Sequence, residues 1–134
     1  IIDGVLVQPM LPKGIEVIIG VNNDPQFGPM LLCGLGGIFV EIFKDVSLYP
    51  APLSKQEALE MIQSLKGYQL LNGYRGNPEY DIDALADFMV KVAAYAAENK
   101  NSLHELDINP VFVYEKGRGV AVADALIIKT KESN

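Results

Sequence analysis

The chain has no tryptophan, one cysteine and one histidine, and its 11 Lys and Arg are outnumbered by 17 Asp and Glu. Each shortage closes off a class of function. Cys33 alone cannot make an internal disulfide, and a lone thiol suits a reducing compartment better than a secreted scaffold, so it is expected to act as a small buried hydrophobe. A net charge of -6 without any cluster of bases leaves no electrostatic footprint for nucleic acid. There is no signal-peptide pattern and no apolar run long enough to span a bilayer, so a cytoplasmic protein without a membrane role is expected. Internal repeats, low-complexity tracts and Gly/Ser linkers are missing too, which points to one folded unit. What is present is 134 residues that are 49% apolar, enough to bury a core without disulfides. The chain opens Ile1-Ile2-Asp3 and is in strand-like pattern by Val5, so an element preceding it is expected.

Residues 5–11 are apolar and β-branched, with Pro9 inside, and Pro12-Lys13-Gly14 turns them toward a second run at 15–21. The turn formers of 22–28 lead to a return strand at 29–33, after which Gly34-Leu-Gly-Gly37 interrupts. Residues 38–43 and 46–49 are further extended pieces. Ser54 and Glu57 form a capping box, followed by Ala58, Ile62 and Leu65 on one helical face, with Gly67 as the stop. Asp81 is a cap for a longer helix carrying Ile82, Leu85, Met89, Val92 and Ala96 at helical spacing up to about Asn99. The remaining runs, 103–109, 111–115 and 120–128, fold about Lys116-Gly-Arg-Gly119 as a β-hairpin. Strands joined by tight turns, with helices gathered between them, predict an α+β fold: a mainly antiparallel sheet with two helices on one face.

The stretch ELDINP, Glu105 to Pro110, places Glu105, Asp107 and Asn109 at alternate positions. In a strand, Leu106 and Ile108 then face the core and the three oxygen-bearing side chains share the other face. Such a face repels itself or desolvates badly unless a cation or a donor sits on it. A two-residue hairpin loop at Lys116-Gly117 pairs positions whose numbers sum to 233, which sets Asn109 opposite Asp124, a lone acid in an apolar run. Opposed side chains have Cβ atoms roughly 4.5–5.5 Å apart, and an all-oxygen pair favours magnesium over zinc. A bulge at Gly119 would instead set Asn109 against Ala125. Spacing alone also allows a plainer arrangement, with Glu105 and Asp107 on a solvated face and Asp124 capping a strand end. His104 shares the parity of Leu106 and Ile108 and is expected to be a partly buried, satisfied imidazole.

Other polar positions are less pointed. Gly34-Leu-Gly-Gly37 lacks the Lys-Ser/Thr of a phosphate loop and fits a hairpin turn better. Arg75, between Gly73 and Gly76, could fork onto a phosphate or carboxylate, though exposed loop arginines are common. Gln8 and Glu16 are polar interruptions of strands that surface placement explains.

Taken in order, GVLVQPMLPKGIEVIIGV, DPQFGPMLLCGLGGIFVEIFKDV, LLNGYRG, ELDINPVFV and AVADAL resemble the ATP-grasp domain of NDP-forming acyl-CoA synthetases, the ADP-forming acetate–CoA ligases, from about Gly4 to Ile127. Succinyl-CoA synthetase β subunits are more distantly similar. The resemblance implies a reversible acid–thiol ligase in which ATP, a carboxylic acid and CoA exchange with ADP, phosphate and acyl-CoA through a phosphohistidine. It implies Mg2+ and ATP or ADP as cofactors, with Asn109 and Asp124 holding the metal. Asp107 matches a position that would orient the phosphohistidine, brought from another domain. Val7, Gln8 and Met10 match the strand passing the adenine, Glu16 a ribose or structural contact, and Arg75 a phosphate contact.

The resemblance also implies absences. Residues 1–130 correspond to the larger, C-terminal ATP-grasp subdomain and 131–134 to a tail, while the lid subdomain, the phosphohistidine, and the CoA-binding and ligase domains lie outside the chain. Those domains or a subunit carrying them, together with CoA and a small carboxylic acid, are therefore the implied partners. Two other functions remain open at this level: the ligand-sensing synthetase-like region of a protein lysine acetyltransferase fusion, and a non-catalytic assembly module whose acceptor face takes a partner's arginine.

Overall fold

From Ile15 onward the odd-numbered residues Val17, Ile19 and Val21 alternate with Glu16, Ile18 and Gly20, and this period of two makes the first strand, β1 (Ile15–Asp24), bury one side and expose the other. The computed structural model describes residues 14–36 and 45–129, apart from the side chain of Tyr74. Asp24 reverses the chain: its Oδ1 accepts the amides of Gln26 at 2.7 Å and Phe27 at 3.0 Å, and Gly28 adopts φ 74°. β2 (Gly28–Leu35) returns antiparallel to β1, and β3 (Val46–Pro50) pairs with its far edge.

On the other side of β1 lies β4 (Leu103–Val113), the longest strand. β5 (Val120–Val122) and β6 (Ala125–Lys129) follow one another along the outer edge of β4, so that among the described residues six strands form one sheet ordered β3-β2-β1-β4-β5, with β6 also on β4 and all of these pairings antiparallel.

The helices form where the capping residues place them. Ser54 accepts the Glu57 amide at 3.1 Å and donates its own amide to Glu57 Oε1 at 2.9 Å, the reciprocal box that starts α1 (Lys55–Gln63). Its turns bury Ala58, Met61 and Ile62. A short helix, α2 (Tyr68–Leu71), and a 3-10 turn at Tyr74–Gly76 then lead to α3 (Ile82–Glu98), capped by Asp81 and burying Leu85, Ala86, Met89, Val92, Ala93 and Ala96. Lys55 ties the two long helices together through Asp83 and Asp87, both at 2.8 Å, an exposed arrangement that adds little to stability.

Both long helices share one continuous core with the inward side chains of β1, β2 and β4, each fully buried Val, Leu or Ile contributing about 1.5–3 kcal/mol over an exposed one. The α+β arrangement expected from the sequence is the one observed. Cys33 lies in this core, where burial and the nearby Asp45 charge push its thiol up to about 12, so it is chemically quiet. Asp45, buried itself, accepts the amides of Lys66 at 2.6 Å and Gly67 at 2.7 Å.

Several details depart from the sequence expectations. Gly34 and Leu35 belong to β2 and not to a turn, because a Cβ at Gly34 would lie 2.9 Å from Val46 Cγ1 and only glycine lets β3 approach that closely. The apolar run at 120–128 is two strands, broken at Ala123-Asp124. α2 and the 3-10 turn occupy what reads as loop. His104 is exposed: the β4–β6 register shifts between Leu103 and Glu105, and that irregularity breaks the parity linking His104 to Leu106. The strands expected at 5–11 and 38–43 lie outside the described residues.

Candidate functional site

β4 changes parity once more along its length. Leu106 and Ile108 are buried, and so are Val111 and Val113, an even pair followed by an odd one. The pairing with β1 shows why: Val17 faces Val111 and Ile19 faces Ile108, so Asn109 and Pro110 together oppose the single residue Ile18. This is a β-bulge, the place where a proline is tolerated inside a sheet and where a side chain is re-aimed. It leaves Asn109 exposed on the outer side of an otherwise well-anchored strand.

Across the other edge of β4 the register is set by the hairpin turn. Arg118 donates its amide to Glu115 at 2.9 Å and Tyr114 to Gly119 at 3.0 Å, with Gly117 at φ 89° and Gly119 at φ 78°. The loop is thus the two-residue kind. Val113 pairs with Val120, Val111 with Val122, Ile108 with Ala125 and Asp107 with Leu126. The break between β5 and β6 leaves this count intact: Asn109 donates its amide to the Asp124 carbonyl at 3.1 Å, and Ala123 donates to Pro110 at 3.0 Å. Asn109 and Asp124 are therefore opposite one another, as the hairpin count anticipates.

Both side chains are exposed, and so is that of Asp107. Asp124 Oδ1 accepts the amide of Ala125 at 2.9 Å, which fixes the carboxylate, and its second oxygen makes no hydrogen bond among the described residues. The Asn109 and Asp107 side chains make none either. No group of three or more His, Cys, Asp or Glu side chains gathers among the described residues. Asn109 and Asp124 each offer a hard oxygen donor at facing backbone positions. That fits Mg2+, which takes one or two protein ligands and completes its shell with phosphate and water, and does not fit a closed zinc site.

Asp107 sits two residues before Asn109 on the same outer face. Its cross-strand neighbours are Gly20 on β1 and Leu126 on β6, and a Cβ added at Gly20 would lie 3.8 Å from Asp107 Oδ1. A Cβ there would make only ordinary contact, so it is the larger side chains that would reach the carboxylate. The row continues through Leu32 to Leu48, so the acid stands in a lane that is apolar at both ends, Leu48 and Leu126 each being 58% exposed. No described helix packs on this face. Sequence reasoning missed Gly20 as a neighbour of Asp107, because the pairing of β1 with β4 that brings them together is set by the bulged register and by no local pattern.

Glu16 is exposed on β1 opposite Phe112, and its carbonyl accepts the Gly36 amide at 2.8 Å. Arg75 is exposed with φ 54°, flanked by Gly73 at φ 83° and Gly76 at φ 78°. Its loop is closed by the bridge Asn72–Glu79 and joined to the turn end of the hairpin by the bridge Tyr80–Glu115. Val7, Gln8 and Met10 lie outside the described residues.

A family model for the ATP-grasp domain matches residues 1–128. The β subunit of ADP-forming acetate–CoA ligase II from Pyrococcus furiosus is 50% identical over 127 residues, covering 95% of this chain and 54% of that protein. An ADP-forming acetate–CoA ligase from Archaeoglobus fulgidus is 47% identical over 119 residues, covering 89% of this chain and 17% of that one. Among solved structures, a Pyrococcus horikoshii Ot3 protein superposes with a TM-score of 0.88 at 47% identity, covering 92% of this chain and 52% of that one. An acetyl-coenzyme A synthetase from Ca. Korarchaeum cryptofilum, solved with coenzyme A and Mg-AMPPCP, gives 0.82 at 48% identity, covering 90% and 55%. The chain thus spans about half the length of the first of these relatives. With the family model matched from the first residue to Ile128 and these relatives nearly half identical throughout, the chain belongs to the ATP-grasp family.

Proposed function

We propose that this chain is the nucleotide- and Mg2+-binding lobe of an ADP-forming acyl-CoA synthetase, an acid–thiol ligase working through a phosphohistidine supplied by another domain. The observation that carries the proposal is the opposition of Asn109 and Asp124 across the β4 edge, where two exposed oxygen-bearing side chains stand at facing backbone positions. The Korarchaeum relative, solved with Mg-AMPPCP and with its phosphohistidine segment pointing towards the nucleotide site, supports it by likeness.

Each residue has a limited task. Asn109 offers its carbonyl oxygen and Asp124 its unengaged carboxylate oxygen to Mg2+, which would neutralise charge on the nucleotide phosphates. The Ala125 amide holds the Asp124 carboxylate in place, so the donor needs little reorganisation when the metal arrives. Asp107, beside Gly20, accepts the N–H of an incoming imidazole and orients it. The lane between Leu48 and Leu126 provides a flat apolar floor. Glu16 as a ribose contact, Arg75 as a phosphate contact, and Val7, Gln8 and Met10 as adenine contacts belong to the same proposal. So do the limits of the lobe, 1–130 with a short tail, and its partners: the lid subdomain, the CoA-binding and ligase domains, CoA and a small carboxylic acid.

Steady-state turnover of the intact enzyme tests this. Asn109→Ala and Asp124→Ala are each expected to lower phosphoryl transfer by about 100-fold or more, with thermal unfolding little changed. Turnover at the unsubstituted level in either variant would remove the metal assignment.

A further inference from the structure

Register decides whether Asn109 meets an acid or an alanine, and the turn that sets this register is held from outside the sheet. Asp81 is 8% exposed and accepts three backbone amides. Its Oδ1 takes Ala84 at 3.1 Å, the ordinary cap of α3. Its Oδ2 takes both Gly117, at 3.1 Å, and Gly119, at 2.8 Å, on either side of Arg118 in the hairpin turn. The main chain around it reinforces the contact: the Asp81 amide donates to the Tyr114 carbonyl at 2.7 Å, and the Lys116 amide to Glu79 at 2.9 Å. One buried carboxylate therefore joins the start of the longest helix to the tip of the hairpin that carries Asp124.

We propose that Asp81 is a positioning residue for the metal pair: by gripping the Gly117 and Gly119 amides at once, it locks the two-residue loop whose register sets Asp124 against Asn109. The reading rests on the metal assignment above. A one-residue bulge at Gly119 would carry that amide off Oδ2 and bring Ala125, which has no side-chain oxygen, opposite Asn109. Charge-assisted hydrogen bonds to two amides oppose this slip more strongly than neutral ones would. Asp81 touches neither metal nor nucleotide, and its effect travels only through the strand register.

Calorimetric titration of ADP into the intact synthetase, over a range of Mg2+ concentrations, tests the idea without depending on turnover. Asp81→Ser keeps a hydroxyl to cap Ala84 but has one oxygen, too short to span to both turn amides. It is expected to raise the Mg2+ concentration that half-maximally tightens ADP binding by about tenfold, leaving metal-free ADP binding as it was. Asp81→Asn, with a neutral oxygen on the turn, is expected to fall between Asp81→Ser and the unsubstituted protein. Asp83→Asn, which loses the contact to Lys55 and touches no turn amide, should show no shift. An unchanged Mg2+ dependence in Asp81→Ser overturns the inference, including the case in which only the folded fraction falls. Asp124→Ala, titrated in parallel, separates the two levels. If it shifts the Mg2+ dependence and Asp81→Ser does not, only the positioning role fails; if it does not shift, the metal assignment fails with it.

Discussion

The two faces of the sheet are built from the same strands and obey different rules. On the helix side, Val17, Ile19, Leu31, Leu106, Ile108 and Val111 interlock with α1 and α3, and every one is buried. On the outer side the same strands present Glu16, Gly20, Leu32, Asp107 and Asn109, with exposed leucines at both ends of the central lane. The first face answers to packing, in which volume is everything. The second answers to chemistry, because the side-chain oxygens of Asp107 and Asn109 make no hydrogen bond among the described residues. β4 supplies both faces, and its bulge at Asn109-Pro110 lets one strand keep a buried side while turning a donor outward.

The contrast breaks if substitutions on the two faces behave alike. The largest expected effect on stability is from Ile19→Ala, which empties a fully buried position and is expected to cost about 2–5 kcal/mol in chemical denaturation. Leu126→Ala, on the outer face, should move the midpoint by no more than about 0.5 kcal/mol. Next comes Gly20→Val, whose branched side chain would crowd Asp107, Leu32 and the Leu106 carbonyl. It is expected to lower turnover of the intact enzyme by roughly tenfold while melting close to the unsubstituted protein; a matched loss of both would make Gly20 a packing residue only.

Two smaller effects concern ionisation. Cys33 should resist alkylation in the folded protein at neutral pH and react on denaturation, since burial holds its thiol protonated up to about 12. Glu57 moves the opposite way: hydrogen bonds from Tyr49 and from the Ser54 amide and hydroxyl hold it below its usual 4.5. Its contribution to α1 is complete above 4.5 and is lost as pH falls through the lowered value. Glu57→Gln should therefore flatten part of the acid-side fall in melting temperature; an identical acid profile would contradict the capping role.

Much of this was legible in the sequence for physical reasons that differ by element. The helices announce themselves through Ser54 with Glu57 and through Asp81, because a cap satisfies orphan amides locally. The pairing of Asn109 with Asp124 is legible because a two-residue turn fixes register by counting, and the β5–β6 break leaves the count undisturbed. His104 was misplaced because parity assumes an unbroken ladder, while β4 shifts register on one edge near Glu105 and on the other at Asn109. The clamp of Asp81 on the turn links residues 36 and 38 positions apart, a tertiary contact that no local pattern encodes.

The central claim is that Asn109 and Asp124 hold the nucleotide's metal. Its most direct measurement is calorimetric titration of ADP into the intact synthetase and into its Asn109→Ala/Asp124→Ala variant, each with and without Mg2+. The account predicts that Mg2+ tightens ADP binding in the unsubstituted enzyme and loses that effect in the variant, whose metal-free binding is unchanged. An equal Mg2+ effect in both proteins would contradict it.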